Sequence, residues 1–272
     1  MAKKRKWITR VWIGLPIVLF LYLGIYLFLY VEKDQQTNRY RSAQLPDTFR
    51  YHFAQPVEEL MIRTPQEGLL NALLFKVPQP KGVVCFWKGN GGTLANWGAM
   101  APTFLPFGYD VLITDYRQHG KSKGPISLAN FYTDAQTVYD SLKRRYSENK
   151  MVICGYSLGG RIGAHLASMN RPKFTFLIDP ASAGGDFSDR FTDLLYYPFP
   201  SVNGFTFLTD QDVQNAFSPV IVVSTDNPHS TAYKLHSVLA PKDQLLVIPN
   251  ATHASILNHP QCMQLLKKLL AE

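Results

Sequence analysis

The 272-residue chain predicts an α/β fold, with a mostly parallel eight-stranded sheet and helices on both faces. Three observations lead there. Past residue 55, short apolar runs of strand character alternate with stretches of helical spacing, the order that right-handed βαβ crossovers require. With 46% apolar and 18% charged residues, the chain can bury a sizeable core. In "VICGYSLGGRIGAHLAS", Val152 to Ser168, a serine flanked by glycines marks an abrupt change from strand to helix pattern.

The first ten residues form a basic flank carrying Lys3, Lys4, Arg5, Lys6 and Arg10. From Val11 to Val31 there are 21 residues without a charge. At about 1.5 Å per residue, a helix of that length spans the roughly 30 Å hydrocarbon core. Trp7, Trp12 and Tyr30 suit the two interfaces, and Pro16 falls in the first two turns, where it makes only a mild kink. A cleaved signal peptide would have a shorter apolar region and a small-x-small site, and "YVEKDQQTNRYR" offers none. Residues 11–31 therefore read as a transmembrane signal anchor. Cations are denser before it than after it, where Lys33, Arg39 and Arg41 lie, so the N-terminus is expected in the cytoplasm and the globular domain outside it. Residues 32–55 read as a polar juxtamembrane linker and residues 56–272 as the domain.

The net charge of +8 is concentrated in the N-terminal flank and otherwise scattered, so no nucleic-acid partner is expected. Three cysteines provide neither a disulfide framework nor metal-ligand spacing. The strands are expected at Val57–Arg63, Leu69–Phe75, Val83–Trp87, Asp110–Thr114, Met151–Cys154, Phe174–Ile178, Val220–Ser224 and Gln244–Ile248. Helices begin near Leu94, Ser127, Ser157, Ser230 and Ala254. The first two strands, joined by "TPQEG", form an antiparallel hairpin. An insertion at about 181–218, rich in Phe, Tyr, Pro and Asp, reads as a short cap. Its rings, Phe187, Phe191, Tyr196, Tyr197, Phe199 and Phe205, either line an apolar acyl pocket or fill core beneath the cap.

In open parallel sheets ligands bind beyond the carboxyl ends of the strands, so the residues just past each strand are informative. After the fifth comes Ser157. Gly155 and Gly159 permit a turn so sharp that its serine is strained outward above the sheet, a G-x-S-x-G nucleophile elbow. A glycine-rich turn with an N-cap serine is the plainer reading of the pentapeptide. After the third comes "KGNGGTLANW", Lys88 to Trp97, whose glycines suit an oxyanion hole made by the amides of Asn90 and Leu158. After the fourth comes "DYRQHGKSKG", where His119 anchors the loop or takes part in chemistry. After the seventh, "STDNPHS" offers Asp226. After the eighth, "PNATHASI" places His253 before the last helix. The order Ser157, Asp226, His253 is that of a hydrolase triad on this architecture. His165, His229 and His259 read as surface or helix residues.

Taken together, "FWKGNGG", "YDVLITDYRQHGKSKG", "GYSLGG", "SPVIVVSTDNP" and "PNATHAS" resemble the α/β-hydrolase superfamily, especially its small membrane-anchored BEM46-like members. The resemblance runs from Pro56 onward and implies an α/β-hydrolase fold with serine-ester chemistry and no cofactor. The family usually has His-Gly-Asn after the third strand, where this chain has Lys88, and a glycine where it has Gln118. After the seventh strand the chain is about one residue short of Gly-x-x-Asp. Alignment from the strand gives Asp226 as the acid, and alignment from the proline beyond it gives Asn227. Asp179, at the end of the sixth strand, is a fallback. The expected function is a carboxylesterase- or lipase-like hydrolase acting through an acyl-enzyme on Ser157. Its partners would be a small-molecule acyl substrate, lipid-like molecules among them, and the membrane. A non-catalytic binding protein on the same fold, and an acyltransferase using the same residues, are the alternatives.

Overall fold

A computed structural model describes residues 15–28, 37–181 and 207–271. By internal contacts the chain divides into two units, Met1–Arg39 with Arg190–Gly204, and Tyr40–Asp189 with Phe205–Glu272. In the first, residues 15–28 form a helix, α1, whose side chains are all exposed. Among the described residues no helix is long and apolar enough to cross a membrane. The rest of the 11–31 segment, residues 11–14 and 29–31, lies outside the described residues.

The second unit is built on one sheet. Its strands are β1 (Val57–Thr64), β2 (Gly68–Phe75), β3 (Gly82–Trp87), β4 (Tyr109–Thr114), β5 (Met151–Tyr156), β6 (Phe174–Ile178), β7 (Val220–Thr225) and β8 (Gln244–Ile248). The spatial order is β1-β2-β4-β3-β5-β6-β7-β8. β2 runs antiparallel to both β1 and β4, and every other pairing is parallel. Every strand lies within a residue or two of its predicted bounds. β3 through β7 are buried along their whole length, as parallel strands covered on both faces must be, and they read as near-continuous apolar runs.

The helices are α2 (Leu94–Trp97), α3 (Leu128–Lys143), α4 (Leu158–Met169), α5 (Thr209–Gln214), α6 (Thr231–Lys234), α7 (His253–Ile256) and α8 (Pro260–Ala271). Alternation along β3 assigns the faces. Val83, Cys85 and Trp87 pack with α3 and α4 through Phe131, Val138, Ile162 and Leu166. Val84 and Phe86 pack on the other face with Leu94, Phe104 and, from α8, Cys262, Leu266 and Leu270. Most of the predicted cap, residues 182–206, lies outside the described residues. Beyond it Phe207 is fully buried and α5 docks on α4.

Part of the segment read as a polar juxtamembrane linker is hydrogen-bonded to this unit from Tyr40 onward. Gly120 N donates to Ala43 O at 2.9 Å, and Leu45 N donates to Gly120 O at 2.9 Å. Further along, Tyr51 donates its hydroxyl to Asn71 Oδ1 at 2.8 Å. Elsewhere in the loop after β4, Arg117 is buried and grips Asp134 with two bonds of 2.8 and 2.7 Å, tying that loop to α3.

Candidate active site

Ser157 stands between the end of β5 and the start of α4, with φ 56° and ψ −116°. That left-handed conformation is costly for a residue with a Cβ and persists only where its surroundings over-determine it. Here they do. A Cβ at Gly155 would collide with the backbone of Gly159, and one at Gly159 would collide with the backbone of Trp87 and Lys88. The two glycines let strand, helix and the end of β3 close on one another. Ser157 N donates to Ile178 O at 3.0 Å, and Ala181 N donates to Ser157 O at 3.2 Å, so the corner is also tied to the end of β6.

His253 opens α7, whose N-terminus is fixed by a capping box between Thr252 and Ser255. Its Nε2 lies 2.9 Å from Ser157 Oγ, and its Nδ1 lies 2.6 Å from Asp179 Oδ2. An ionised carboxylate can only accept, so Nδ1 carries the hydrogen and Nε2 is left to receive the serine proton. Asp179 is 7% exposed in its side chain, against 50% for that of His253. It too holds a left-handed backbone, φ 41°, pinned by its amide's 2.7 Å bond to Val223 O.

The acid expected after β7 is therefore not the one at the histidine. Asp226 is exposed, and its Oδ2 accepts from Asn250 N at 3.3 Å. Asn227 is exposed as well and caps its own turn, accepting from His229 N at 3.0 Å. The reason is positional. β6 is the immediate neighbour of β5, so an acid at the end of β6 lies one strand from the serine, whereas Asp226 lies two strands away. "LIDP" held the signal, since an acid closing a fully buried strand requires a partner.

Sequence reasoning named Asp179 only as a fallback and did not single out Tyr156. Its hydroxyl donates to His253 O at 2.7 Å and its ring stacks on the imidazole, centroids 5.2 Å apart. Burial, then the charge of Asp179, raises its phenol above the ordinary value. Leu158 is the first residue of α4, so its amide has no acceptor within the helix. Asn90 lies in the loop just past β3, whose Trp87 pairs in register with Gly155. Gly89 approaches the rings of Tyr156 and Trp97 closely. The Asn90 and Leu158 amides thus belong to neighbouring strand ends on either side of the elbow. His119 is not at the serine. It is buried under the loop after β3, beside Lys88. His165 bonds Asp212 on α5, and His229 and His259 are surface residues. A cavity of about 410 Å³ opens beside His253, lined by Asp179, Pro180, Thr225, Asn227, Ser230 and Thr252.

Residues 82–175 match the model of a family described as the alpha/beta hydrolase fold. Protein bem46 of Schizosaccharomyces pombe is 29% identical over 163 residues, covering 56% of this chain and 54% of that protein. Lysophosphatidylserine lipase ABHD12 of Macaca fascicularis is 24% identical over 181 residues, covering 58% of this chain and 46% of that protein. The chain thus spans about half the length of these curated relatives. Among solved structures, the Pyrococcus furiosus esterase Pf2001 superimposes with a TM-score of 0.62 at 14% identity, covering 83% of this chain and 95% of that one. Est1E from Butyrivibrio proteoclasticus with ferulic acid bound gives 0.57 at 19% identity, covering 78% and 96%. The motifs, the sheet order and the elbow agree with these likenesses: the chain has the α/β-hydrolase fold and is similar, at modest identity, to bem46 and ABHD12.

Proposed function

We propose that this protein is a serine hydrolase that cleaves carboxylic esters, in the manner of a carboxylesterase or lipase. One observation carries the reading: an unbroken hydrogen-bonded chain from Ser157 Oγ through His253 to the buried Asp179, headed by a serine in a strained backbone. A serine is a weak nucleophile until an adjacent base takes its proton.

In this mechanism His253 Nε2 takes the hydroxyl proton as Ser157 Oγ attacks the ester carbonyl. The amides of Leu158 and Asn90 hold the negative oxygen that forms. The carboxylate of Asp179 keeps the imidazole in the right tautomer and stabilises the imidazolium. His253 then hands the proton to the departing alkoxide, which leaves as the alcohol. Water, deprotonated by the same nitrogen, attacks the acyl-enzyme, and collapse of the second intermediate releases the acid and returns the proton to Ser157.

The substrate class is an acyl ester, lipid-like esters included. Two features support a lipid-facing enzyme: the uncharged 11–31 segment, read as a single membrane anchor with its N-terminus in the cytoplasm, and the likeness to a protein named as a lysophosphatidylserine lipase. The test is labelling by a fluorophosphonate probe. Wild type should form a covalent adduct at Ser157 and hydrolyse p-nitrophenyl esters. Ser157→Ala should fold but lose both, with turnover falling by roughly 10⁶-fold, as when triad serines are removed. Ester hydrolysis retained by folded Ser157→Ala would refute the assignment.

A further inference from the structure

We propose that Lys88, His119 and the Tyr40–Ser42 segment form a buried support that positions the Gly89–Gly92 loop, so that the chain leaving the N-terminal anchor is a working part of the oxyanion hole. The proposal rests on the hydrolase reading and adds positioning residues to it.

The Lys88 side chain is fully buried, and a charge there must be paired to persist. Its ammonium lies 2.8 Å from His119 Nδ1 and 3.1 Å from Gly92 O. Gly89 O and Asp115 Oδ1 are both at 3.4 Å. One cation therefore bridges the two ends of the loop from beneath, over the ring of Tyr116 at 4.8 Å. The hydroxyl of Tyr116 donates to Lys88 O at 2.5 Å. Asp115 in turn accepts from Leu94 N at 3.1 Å, holding the helix just beyond the loop.

These contacts fix directions as well as positions. In a trans peptide the carbonyl and the N–H point opposite ways. The Gly89 carbonyl, turned toward Lys88, belongs to the same peptide as the Asn90 N–H, so holding the oxygen below aims the amide away from the ammonium. On the outer side Trp97 Nε1 donates to Gly91 O at 2.7 Å.

The anchor-proximal chain closes the support. His119 Nε2 lies 2.6 Å from Tyr40 O, and a carbonyl can only accept, so Nε2 carries the hydrogen. Nδ1 then has a free lone pair for the ammonium. The electrostatics agree: burial, and then the charge of Lys88, push His119 down to about 3, so it is neutral. Ser42 Oγ donates to Gly92 O at 3.2 Å, the carbonyl that Lys88 also holds. Tyr40 and Ser42 lie within a dozen residues of Val31, the end of the expected anchor.

Burial lowers Lys88 from its ordinary 10.5 to about 8, opposed by Asp115, while Asp115 is itself raised to about 6 by burial. The groups facing the ammonium, among the described residues, are Asp115, Tyr116 and His119. As pH rises through about 8 the ammonium discharges and the loop loses its ion pair, so kcat falls. Stability moves the other way. Between about 8 and 10.5 the unfolded lysine still binds a proton that the folded one has released, so this group's contribution to stability increases with pH in that window.

The test uses full-length protein in detergent, measuring p-nitrophenyl butyrate hydrolysis and amide hydrogen exchange over residues 89–93. Lys88→Met should lower kcat by roughly 10- to 100-fold with KM little changed, the scale of a misplaced catalytic group. Lys88→Arg should keep more activity than Lys88→Met and lose the alkaline limb near 8. Ser42→Ala removes one hydrogen bond without disturbing the buried charge and serves if Lys88→Met fails to fold. It should speed exchange in the loop and lower kcat by about 2- to 5-fold, the equivalent of a typical net hydrogen bond. Unchanged exchange and unchanged kcat in folded Ser42→Ala, or an alkaline limb retained in Lys88→Arg, would overturn the proposal. A wild type that neither labels nor turns over would sink the hydrolase reading alone, because exchange reads the loop without catalysis.

Discussion

The assignment of the acid to Asp179 can be tested against Asp226 by one pair of isosteric changes. Asp179→Asn keeps shape at a position 5% exposed but replaces the carboxylate 2.6 Å from His253 Nδ1 with an amide. An amide that donates to Nδ1 forces the hydrogen onto Nε2, where it can no longer receive the serine proton. An amide oxygen turned to Nδ1 still lacks the charge that stabilises the imidazolium. For a triad acid this costs about 10⁴-fold in kcat, or about 5.4 kcal/mol at 1.36 kcal/mol per decade. Asp226→Asn removes only an exposed charge, and the amide oxygen can still accept from Asn250 N, 3.3 Å from the carboxylate. Surface changes of that kind stay within about 0.5 kcal/mol, so turnover should change by no more than about twofold. Stopped-flow hydrolysis of a p-nitrophenyl ester gives kcat for both, and thermal unfolding checks that each is folded. A crippled Asp226→Asn beside a nearly wild-type Asp179→Asn would refute the assignment and the geometry beneath it.

Gly159→Ala should lower both stability and turnover, because its methyl would enter the backbone of Trp87 and Lys88, a clash with no flexible side chain to yield. A loss of more than about 2 kcal/mol in denaturant unfolding is expected, on the scale of overpacked cores, and a silent substitution would contradict the close approach. If residues 11–31 span a bilayer, full-length protein should stay with the membrane pellet through carbonate and high-salt washes. Release by either would show that the segment does not span.

Much of the sheet was legible because parallel strands buried on both faces write themselves as apolar runs with polar breaks. Val83–Trp87 and Val220–Ser224 are of this kind, and neither can be mistaken for an amphipathic helix. The elbow was legible for a related reason, since only glycines tolerate the approach at positions 155 and 159. The acid was harder. Its place depends on which strand end lies beside β5 and on which way His253 turns, and both are set by three-dimensional packing. Spacing after β7 pointed to Asp226 by chain order, while the pairing of β5 with β6 made Asp179 the nearer group. The contacts of the juxtamembrane segment were not legible, because its bonds to Gly120 and His119 are made by main-chain atoms, on which side-chain composition is silent.

The clasp between the corners of β5 and β6 has a consequence for how this scaffold can diversify. Ser157 N bonds Ile178 O and Ala181 N bonds Ser157 O, so the proposed nucleophile and acid are carried on one hydrogen-bonded main-chain unit. The proposed proton relay then takes no side chain from the turn after β7, whose Asp226 reaches only Asn250 N on the loop before His253. That turn, residues 226–230, is largely exposed and contributes Asn227 and Ser230 to the rim of the cavity beside His253. Under the proposed mechanism, the part of it beyond Asp226 can be rewritten to suit a different leaving group while Ser157, His253 and Asp179 stay in place. In a chain whose acid sat after β7, the same edits would break the relay. In the hydrolase proposed above, substrate choice and proton transfer are thereby placed on separate strands, leaving one loop open to drift under selection for new esters.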